Sequence, residues 1–389
     1  MSEIILGRLS GEVTLKSRGV IRSWLNLLVK QIERRLQRKN LKASIQILEL
    51  RVIVEPKEDS NIELIADSVA KTFGIKEVII AKKVPLNIDD IISASREVVS
   101  NFSGTFAVRT HRAYKGFPVT SIELNKIIGE VLVRENKNLK VDLKNPDLEL
   151  RIEIRKDGAY VYRKKKEGPG GLPYSVSGRG IALISGGIDS SVAAWLAMKR
   201  GMKIIALHAD MGEYYSDRAR NRARAVLKWL ADWVPSGKLK AYIVRVAKLH
   251  ERVKLPSDEF RCVFCKMLLV KLAEWVAKKE SAHAIITGES LSQVASQTPQ
   301  NIKIINLVTS YPILRPLIFM DKSEIDSIAQ KIGLYNIVSI DVGSCLLLPR
   351  RPALKTDDRF ATRLIEILYS LPLEETLERD AVVEFISSA

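Results

Sequence analysis

Apolar residues recur every three to four positions in several stretches of the chain, which is the spacing of one face of an α-helix. The first such stretch predicts an amphipathic helix of about five turns, with its apolar positions at Val20, Trp24, Leu28, Ile32 and Leu36. Strand-like segments over 43–55 and 75–81 follow, with a second helix over 62–73 between them. Together with a first strand near the N-terminus, the order β-α-β-α-β indicates a small ferredoxin-like α+β domain, which we assign to residues 1–82.

The next part of the chain predicts a second α/β domain over residues 83–166. Its helices are expected over 87–99 and 121–133, and its strands over 105–110 and 148–162. The dipeptide Asp157-Gly158 predicts a hairpin within the last of these segments. Residues 167–180 are rich in glycine and proline and lack periodicity, so we interpret them as a linker.

From Ile181 onward, apolar strand-like runs alternate with helical patterns. Strands are predicted over 181–184, 203–208, 240–246, 284–287 and 302–308, and helices over 217–233, 263–279 and 322–332. This alternation predicts a doubly wound parallel sheet, so residues 181–389 form a third domain of the α/β class. Ligands of such sheets bind beyond the carboxyl ends of the strands. Ser185, His208-Ala209 and Gly288-Glu289 all follow strands and are expected to meet in one crevice.

A glycine pair interrupts the apolar run at residue 186 and a helical pattern follows. Gly186 and Gly187 allow backbone N–H groups to approach an anion, and the helix N-terminus adds its own free donors. No lysine follows the glycines, so the stretch is not a Walker A loop. An ordinary strand–turn–helix connection is the alternative interpretation. The hexapeptide SGGIDS (185–190) resembles the signature of PP-loop ATP pyrophosphatases. That resemblance implies that Asp189 holds Mg²⁺ or orients phosphates, and that Ser185 and Ser190 donate hydrogen bonds.

The composition indicates a folded protein with hydrophobic cores and a polyanionic partner. Hydrophobic residues make up 46% of the 389 residues, while 62 Lys and Arg stand against 45 Asp and Glu, a net charge of +17. Such a surplus favours nucleic acid over a neutral metabolite alone. No apolar run approaches the length of a membrane span, and the first residues lack a signal-peptide core. We therefore expect a cytoplasmic protein without a membrane partner.

Basic residues cluster in the second domain among aromatic ones. The candidates for RNA contact are Arg109, Arg112, Lys115, Lys164 and Lys165. For any one of these residues a solvated basic face is the simpler explanation. For the cluster as a whole we favour contact with a phosphate backbone, because neutralising phosphates is what such arrays do well.

The three cysteines all lie in the third domain: Cys262 and Cys265 open a helix, and Cys345 lies some 80 residues later. The helix N-terminus with its flanking Arg261 and Lys266 predicts lowered thiol pKa values. Several roles stay open. The thiols could bind an iron–sulfur cluster that has one open iron site, or one could carry a persulfide while another acts as the resolving thiol. They could also form a zinc site completed by His250 or His283, or be inert buried side chains.

These segments together resemble the tRNA 4-thiouridine synthetase (tRNA 4-sulfurtransferase) family over nearly the whole chain. Besides SGGIDS, the resemblance is carried by TGESLSQVASQT (287–298), GGLP (170–173), RPL (315–317) and Asp321-Lys322. Residues 106–109, Lys115, 117–118 and 121–129 are similar to the family's RNA-binding THUMP domain. Ser10 to Lys16 resembles, more weakly, the start of its ferredoxin-like domain.

The resemblance implies ATP as co-substrate, with Mg²⁺, and tRNA as the partner. The implied ATP contacts, added to those of the loop, are Leu183, Ile184, His208, Ala209, Lys266, Gly288 and Gln297. Asp189 is then essential and Cys345 handles sulfur, with Cys262 and Cys265 as further catalytic candidates. Three cysteines without a rhodanese domain resemble the archaeal-type members, which implies a [4Fe-4S] or [3Fe-4S] cluster. A homodimer is also implied, whereas the sulfur donor, sulfide or a persulfide-carrying protein, stays open.

The activity that the resemblance implies is conversion of a uridine, position 8 in the family, to 4-thiouridine. ATP adenylates the C4 oxygen, because that oxygen is a poor leaving group, and sulfur then replaces it. Two other functions stay open: another PP-loop tRNA-modifying enzyme, such as a 2-thiolase, and a tRNA-binding module with a vestigial ATP site. A role in thiamine synthesis is not settled by the residues.

Overall fold

The computed structural model describes residues 2–57 and 60–388, and the chain divides into two compact units, Met1–Gly171 and Leu172–Ala389. No helix in these described ranges is both long and apolar enough to cross a lipid bilayer.

The first unit combines helices and strands. Its elements in chain order are β1 (Ser2–Leu9), α1 (Gly11–Thr14), α2 (Arg18–Gln37), β2 (Ala43–Leu48), β3 (Arg51–Pro56), α3 (Ile62–Ala70), β4 (Ile75–Val84), α4 (Ile88–Val99), β5 (Gly104–Arg112), α5 (Ser121–Glu135), β6 (Leu139–Val141), β7 (Leu148–Arg155), β8 (Gly158–Tyr162) and β9 (Lys165–Glu167).

One mixed sheet runs through this unit. Its strand order is β2-β3-β1-β4-β8-β7-β5-β6, with β9 pairing to β4 beside β8. The strand β4 pairs with β1 on one side and with β8 and β9 on the other. The segments that the sequence assigns to two domains therefore share a single hydrogen-bonded ladder.

The first prediction to fail concerns residues 43–55, expected as one strand. They form the hairpin β2/β3, closed by Glu49 and Leu50, whose φ angles are 48° and 60°. Two left-handed residues give the turn the twist that tight hairpins require, a conformation usually signalled by Asn or Gly. Glu-Leu carries no such signal. The hairpin predicted at Asp157-Gly158 is confirmed, between β7 and β8.

The second unit alternates strands and helices. Its elements are β10 (Arg179–Leu183), α6 (Ile188–Lys199), β11 (Lys203–Asp210), α7 (Asp217–Trp233), β12 (Lys238–Arg245), α8 (Ala247–Glu251), α9 (Arg261–Glu280), β13 (Ala284–Ile286), α10 (Pro299–Asn306), β14 (Ile313–Leu314), α11 (Lys322–Lys331), α12 (Tyr335–Val338), α13 (Asp358–Ser370), α14 (Leu373–Asp380) and β15 (Ala381–Ser387).

The sheet of this unit has the order β14-β13-β10-β11-β12-β15. All pairs are parallel except β12 with β15, so the parallel sheet that the sequence predicts carries an antiparallel edge strand. The strand predicted over 302–308 is also wrong, because that segment belongs to α10. Thr298 caps this helix and Pro299 occupies its first turn, and both are helix-start signals that outweigh the isoleucine-rich run.

Candidate nucleotide and thiol site

The candidate site lies where the strand order of the second unit reverses. The first strand of this sheet in the chain, β10, has β11 on one side and β13 on the other, so their carboxyl ends open a crevice between them. A cavity of about 470 Å³ occupies it. Its lining comprises Leu183, Ile184, Ser185, Gly187, Asp189, Ser190, Leu207, Ala209, Met211, Tyr215, Cys265, Lys266, Leu269, Thr287, Gly288, Val294, Gln297 and Cys345.

The phosphate loop, residues 184–190, is held by its own hydroxyl groups. Ser190 Oγ accepts a hydrogen bond from the Ser185 backbone N–H at 3.2 Å and lies 3.0 Å from Ser185 Oγ. Ser185 Oγ in turn accepts from the Gly187 N–H at 3.2 Å. Gly187 is the N-cap of α6 and offers no side-chain cap, so the first N–H groups of that helix lack partners within the helix. The loop therefore offers free donors to an anion while its turn is already fixed.

Two glycines are required here by close backbone approach. Gly186 has φ of 81°, and an added Cβ would lie 2.8 Å from Cα of Ala223 on α7. At Gly288, after β13, an added Cβ would lie 2.5 Å from both the carbonyl carbon of Asp189 and the nitrogen of Ser190. The start of α6 thus packs directly against the 288 backbone, and no larger residue fits there without moving the loop.

Asp189 is held in position by residues from two other segments. Its Oδ1 lies 3.2 Å from Lys322 Nζ at the start of α11, and Gln293 Nε2 donates to Oδ2 at 3.3 Å. The same ammonium lies 3.5 Å from Asp326. The Asp189 side chain is one quarter exposed, so this carboxylate can reach a cation or a phosphate-bound ligand in the cavity without losing its support.

His208 supports the phosphate loop from behind. Its ring is buried, and Nδ1 lies 2.8 Å from the backbone carbonyl oxygen of Ile184, to which it donates. Burial lowers the pKa of His208, so the ring is neutral near pH 7. His208 and Gly186 are the two predicted nucleotide-binding residues that do not line the cavity.

A buried carboxylate stands behind Lys266. Glu289 is fully buried, accepts from Thr287 Oγ1 at 3.1 Å and is bonded by Arg315 Nε. Arg315 also donates to Asn306 Oδ1 at 2.8 Å. The other carboxylate oxygen, Oε1, has no hydrogen-bond partner in the described residues and lies 3.9 Å from Lys266 Nζ. This network keeps one cationic side chain at the cavity wall.

The three cysteines lie close enough to interact electrostatically, and Cys265 and Cys345 line the cavity. The lowered pKa predicted for the two thiols that open α9 is wrong. Burial raises the pKa of Cys265 to about 12, and it also raises the pKa of Cys262, with the Cys345 thiol adding to that shift. Lys266 and Arg261 act in the predicted direction, but their attraction is smaller than the desolvation of a thiolate in this apolar setting. Cys262 and Cys265 are therefore protonated in the absence of a ligand.

Tyr215 lies near the thiols and lines the same cavity. Burial raises its pKa to about 12, and all three cysteines contribute in the same direction. Among residues 2–57 and 60–388, no three Cys, His, Asp or Glu side chains already form a group that could hold a metal ion. Neither ring nitrogen of the buried His250 has a hydrogen-bond partner among the same residues.

Cys345 belongs to a long segment without helix or strand, residues 339–357, which we call the thiol loop. Its first half is fixed to the region of α7: Arg222 Nη1 donates to the Ile340 carbonyl at 2.9 Å and Ser216 Oγ donates to the Val342 carbonyl at 2.8 Å. The Leu346 N–H bonds the Tyr214 carbonyl at 3.1 Å. The loop thus depends on hydrogen bonds to other segments for its position.

Most of the predicted residues of this unit converge on the cavity, and some contributors were not predicted. Of the proposed catalytic residues, Asp189, Cys265 and Cys345 line it, whereas Cys262 does not. The sequence assigns no role to Met211, Tyr215, Leu269 or Val294, which form a largely apolar part of the cavity wall. Such residues carry no motif, and only their positions after β11, on α9 and before α10 place them here.

The basic candidates of the first unit divide into two groups. Arg112 donates to the carbonyls of Phe117 and Val119, at 2.9 and 3.0 Å, and Arg109 to that of Leu143. These two side chains therefore support turns of the chain. Lys165 pairs with Glu77 at 3.0 Å. Lys115 and Lys164 are exposed and form no ion pair within the part of the chain that the structure describes.

Three family models match successive stretches of the chain. A ThiI ferredoxin-like domain matches residues 4–78, a THUMP domain matches 85–163, and the model described as thiamine biosynthesis protein (ThiI) matches 175–364. The architecture that the sequence predicts, a ferredoxin-like domain, a THUMP domain and a C-terminal PP-loop domain, is thereby confirmed.

Relatives extend over almost the whole chain. A probable tRNA sulfurtransferase of Methanocaldococcus jannaschii is 37% identical, with 88% of this chain and 91% of that protein aligned. One from Thermoanaerobacter sp. is 39% identical, with 91% and 92% aligned. Among solved structures, a 4-thiouridine synthetase in complex with RNA and bound ATP matches with a TM-score of 0.85 at 30% identity, covering both chains completely.

Proposed function

Because this chain belongs to the tRNA sulfurtransferase family, we propose that it catalyses ATP-dependent formation of 4-thiouridine in tRNA. The overall reaction consumes a uridine, ATP and hydrosulfide, and yields 4-thiouridine, AMP and pyrophosphate. The uridine at position 8 is the target that we infer from the family.

One observation carries the proposal: a single cavity is lined both by the phosphate loop, which we call its phosphate end, and by Cys265 and Cys345, which we call its thiol end. An enzyme that activates an oxygen with ATP and then replaces it by sulfur needs both groups within reach of one base. The ATP that the RNA-bound relative contains corresponds in this chain, by our proposal, to a nucleotide in this cavity.

Activation begins with the C4 oxygen of uracil. The oxygen attacks the α-phosphorus, the O4–P bond forms, pyrophosphate leaves, and the N3 proton is released to solvent. The phosphate-loop N–H groups and Lys266 would stabilise the negative charge that develops on the phosphates. Asp189 would hold Mg²⁺, which supplies charge neutralisation for the departing pyrophosphate, and Lys322 keeps that carboxylate aimed at the cavity.

Sulfur transfer follows at the thiol end of the cavity. A hydrosulfide sulfur bonds to C4, the C4–O4 bond breaks, AMP leaves with the oxygen, and a proton returns to N3. Met211, Tyr215 and Leu269 line the cavity, and this largely apolar wall would limit the access of water, which hydrolyses the adenylate.

The donor set at the thiol end suits an iron–sulfur cluster. Cysteine thiolates are the soft ligands that such clusters take, and a thiol that is protonated without a ligand, as that of Cys265 is, becomes a thiolate on coordination. Cys262, Cys265 and Cys345 would hold the cluster, which when bound presents sulfide as the nucleophile. The alternative is a persulfide on one cysteine; its transfer leaves a disulfide between two thiols, which an external thiol reductant must open.

The proposed function is tested with purified protein, an unmodified tRNA transcript, ATP, Mg²⁺ and sulfide under anaerobic conditions. We expect one 4-thiouridine per tRNA, detected by nucleoside mass spectrometry, with AMP formed in equal amount. A transcript carrying cytidine in place of uridine 8 is the matched control and should remain unmodified. Absence of 4-thiouridine from the wild-type reaction, with the protein folded and binding ATP, would contradict the proposal.

The sulfur carrier is tested by an iron count. Anaerobically purified or reconstituted protein should hold about three to four iron atoms with a cluster absorption spectrum, and Cys262→Ala and Cys345→Ala should each lose both. Protein that is active with sulfide while free of iron would favour the persulfide alternative.

We also propose that Lys115 and Lys164 contact the tRNA backbone. Both are exposed and unpaired among the described residues, so they release counterions on binding without breaking an internal contact. The double alanine variant should bind tRNAs of different sequence more weakly to a similar degree. The magnitude of the slope of log affinity against log salt concentration should fall by about two. Lys165→Ala, which removes a lysine paired with Glu77, is the control and should change the slope less. An unchanged slope in the double variant would exclude these contacts.

A further inference from the structure

Asn301, on α10 and outside the cavity lining, uses every hydrogen-bonding position of its side chain. Its Nδ2 donates to the carbonyls of Ala295 at 2.7 Å and Ala353 at 2.9 Å. Its Oδ1 accepts from the Thr356 N–H at 3.1 Å and from Thr356 Oγ1 at 2.9 Å. The residue is fully buried. A buried amide with two donors and two acceptor positions all satisfied fixes its neighbours rigidly, because each lost bond would leave an unpaired polar group.

These bonds join segments that carry different parts of the site. Ala295 begins the turn that ends at Gln297, and Val294 and Gln297 line the cavity. Ala353 and Thr356 belong to the thiol loop, eight or more residues beyond Cys345. We call Val294 and Gln297 the nucleotide wall of the cavity. Asn301 therefore connects the nucleotide wall to the segment that carries Cys345.

Two neighbouring bonds extend this connection. Thr298 Oγ1 donates to the Leu354 carbonyl at 2.8 Å, which doubles the attachment of α10 to the thiol loop. The Ala353 N–H bonds the Glu259 carbonyl at 3.0 Å, just before the turn of α9 that carries Cys262 and Cys265. The second half of the thiol loop is thus tied to both the nucleotide wall and the other cysteines.

We propose that Asn301 is a positioning residue that sets the thiol loop against the nucleotide wall and so couples adenylation to sulfur delivery. The inference rests on the proposed function. The adenylated base is consumed by water unless sulfur reaches C4 first, and displacement of a reacting group by about 1 Å costs on the order of 100-fold in rate. A loop without helix or strand gains that precision from its anchors.

The test is Asn301→Asp, which keeps both acceptor positions toward Thr356 and replaces the amide donors by an oxygen facing the Ala295 and Ala353 carbonyls. We expect the KM for ATP to change by less than about threefold, while 4-thiouridine formation falls at least about tenfold. AMP formed per 4-thiouridine should rise well above the wild-type ratio. Leu230→Ala changes a buried α7 residue outside the apolar cluster that includes Ala353 and packs against Cys345. It is the control for lost stability and should leave that ratio unchanged.

A second variant keeps the inference testable if Asn301→Asp does not fold. Thr356→Val removes only the hydroxyl donor and should raise the AMP to 4-thiouridine ratio in the same direction but less, and Thr356→Ser should restore it. If AMP formation and 4-thiouridine formation decline in proportion in the Asn301 and Thr356 variants, as in the Leu230→Ala control, Asn301 is structural and the inference is overturned. A wild-type protein that makes no 4-thiouridine refutes the proposed function instead, so the two failures are distinguishable.

Discussion

The phosphate end and the thiol end of the cavity are held in different ways. At the phosphate end a run of seven residues bonds to itself through Ser185, Gly187 and Ser190, and its turn is already fixed. At the thiol end the cysteines come from a helix turn and a distant loop, and burial keeps Cys262 and Cys265 protonated. The first end is complete in the free protein, whereas the second needs a ligand or a bound sulfur species to become reactive.

The largest expected effect tests the completeness of the phosphate end. Asp189→Asn keeps the shape but removes the charge, so 4-thiouridine formation should fall by about 1,000-fold in kcat. The melting temperature should stay near the wild-type value, because the side chain is partly exposed and its polar partners among the described residues are Lys322 and Gln293. Asp326→Asn, which removes the other carboxylate beside Lys322, is the control. Equal losses in both variants would show that the ammonium of Lys322, and not the Asp189 carboxylate, matters.

The next prediction tests the inert state of the thiol end. In metal-free protein at pH 8, Cys265 should react with iodoacetamide roughly 50-fold more slowly than the same cysteine in urea-unfolded chain, because its thiolate is scarce. Peptide mass spectrometry after timed quenching measures each cysteine separately. Equal rates in the folded and unfolded chain would mean that the thiol end is activated by the protein alone, and the contrast between the two ends would disappear.

A smaller effect is expected from Gly288→Ala. The added methyl group meets the backbone of Asp189 and Ser190, so the start of α6 must move and ATP affinity should fall by about tenfold. Isothermal titration with ATP measures the change, and iron content of the reconstituted protein should stay at the wild-type level because the thiol end is untouched. Loss of iron together with ATP affinity would show that the two ends are not built independently.

The smallest effect concerns His250 on α8. Burial and, to a lesser degree, Arg261 lower its pKa to about 4 from the usual 6.5, so the unfolded chain binds a proton that the folded protein does not. Stability is therefore lost as pH falls through 6.5 toward 4, by about 2 kcal/mol between pH 7 and pH 5. His250→Leu should flatten the dependence of the urea midpoint on pH over that range. An unchanged slope would assign the acid sensitivity to other groups.

What the sequence could predict depended on how local each feature is. The strand, loop and helix around Gly186 lie where the sequence predicts them, since strand, glycine pair, Asp189 and helix are contiguous in the chain. The helix α10 was mistaken for a strand because isoleucine spacing was weighed above the Thr298-Pro299 start signal. The pKa of Cys265 was predicted in the wrong direction because Lys266 is visible in the sequence, whereas the burial that outweighs it is a property of the folded chain.

The contacts of the thiol loop could not be predicted from the sequence. Asn301 and Thr356 are 55 residues apart, and nothing in either neighbourhood indicates that they meet. The edge strand β15 was likewise not assigned, because its antiparallel pairing with β12 depends on how the chain returns after α14. Residues that act through distant backbone groups leave no local pattern, and only the structure identifies them.

The central position of β4 in the first unit has a consequence for how its two modules can be separated. Removing everything after residue 84 would strip β8 and β9 from one side of β4 and leave a row of unpaired N–H and C=O groups, an edge prone to aggregation. Removing the residues up to 84, and β4 with them, would leave β8 with a similar row of unpaired backbone groups. The ferredoxin-like and THUMP modules of this chain are therefore expected to melt in one cooperative transition, and a gene fusion that borrows one of them must borrow both.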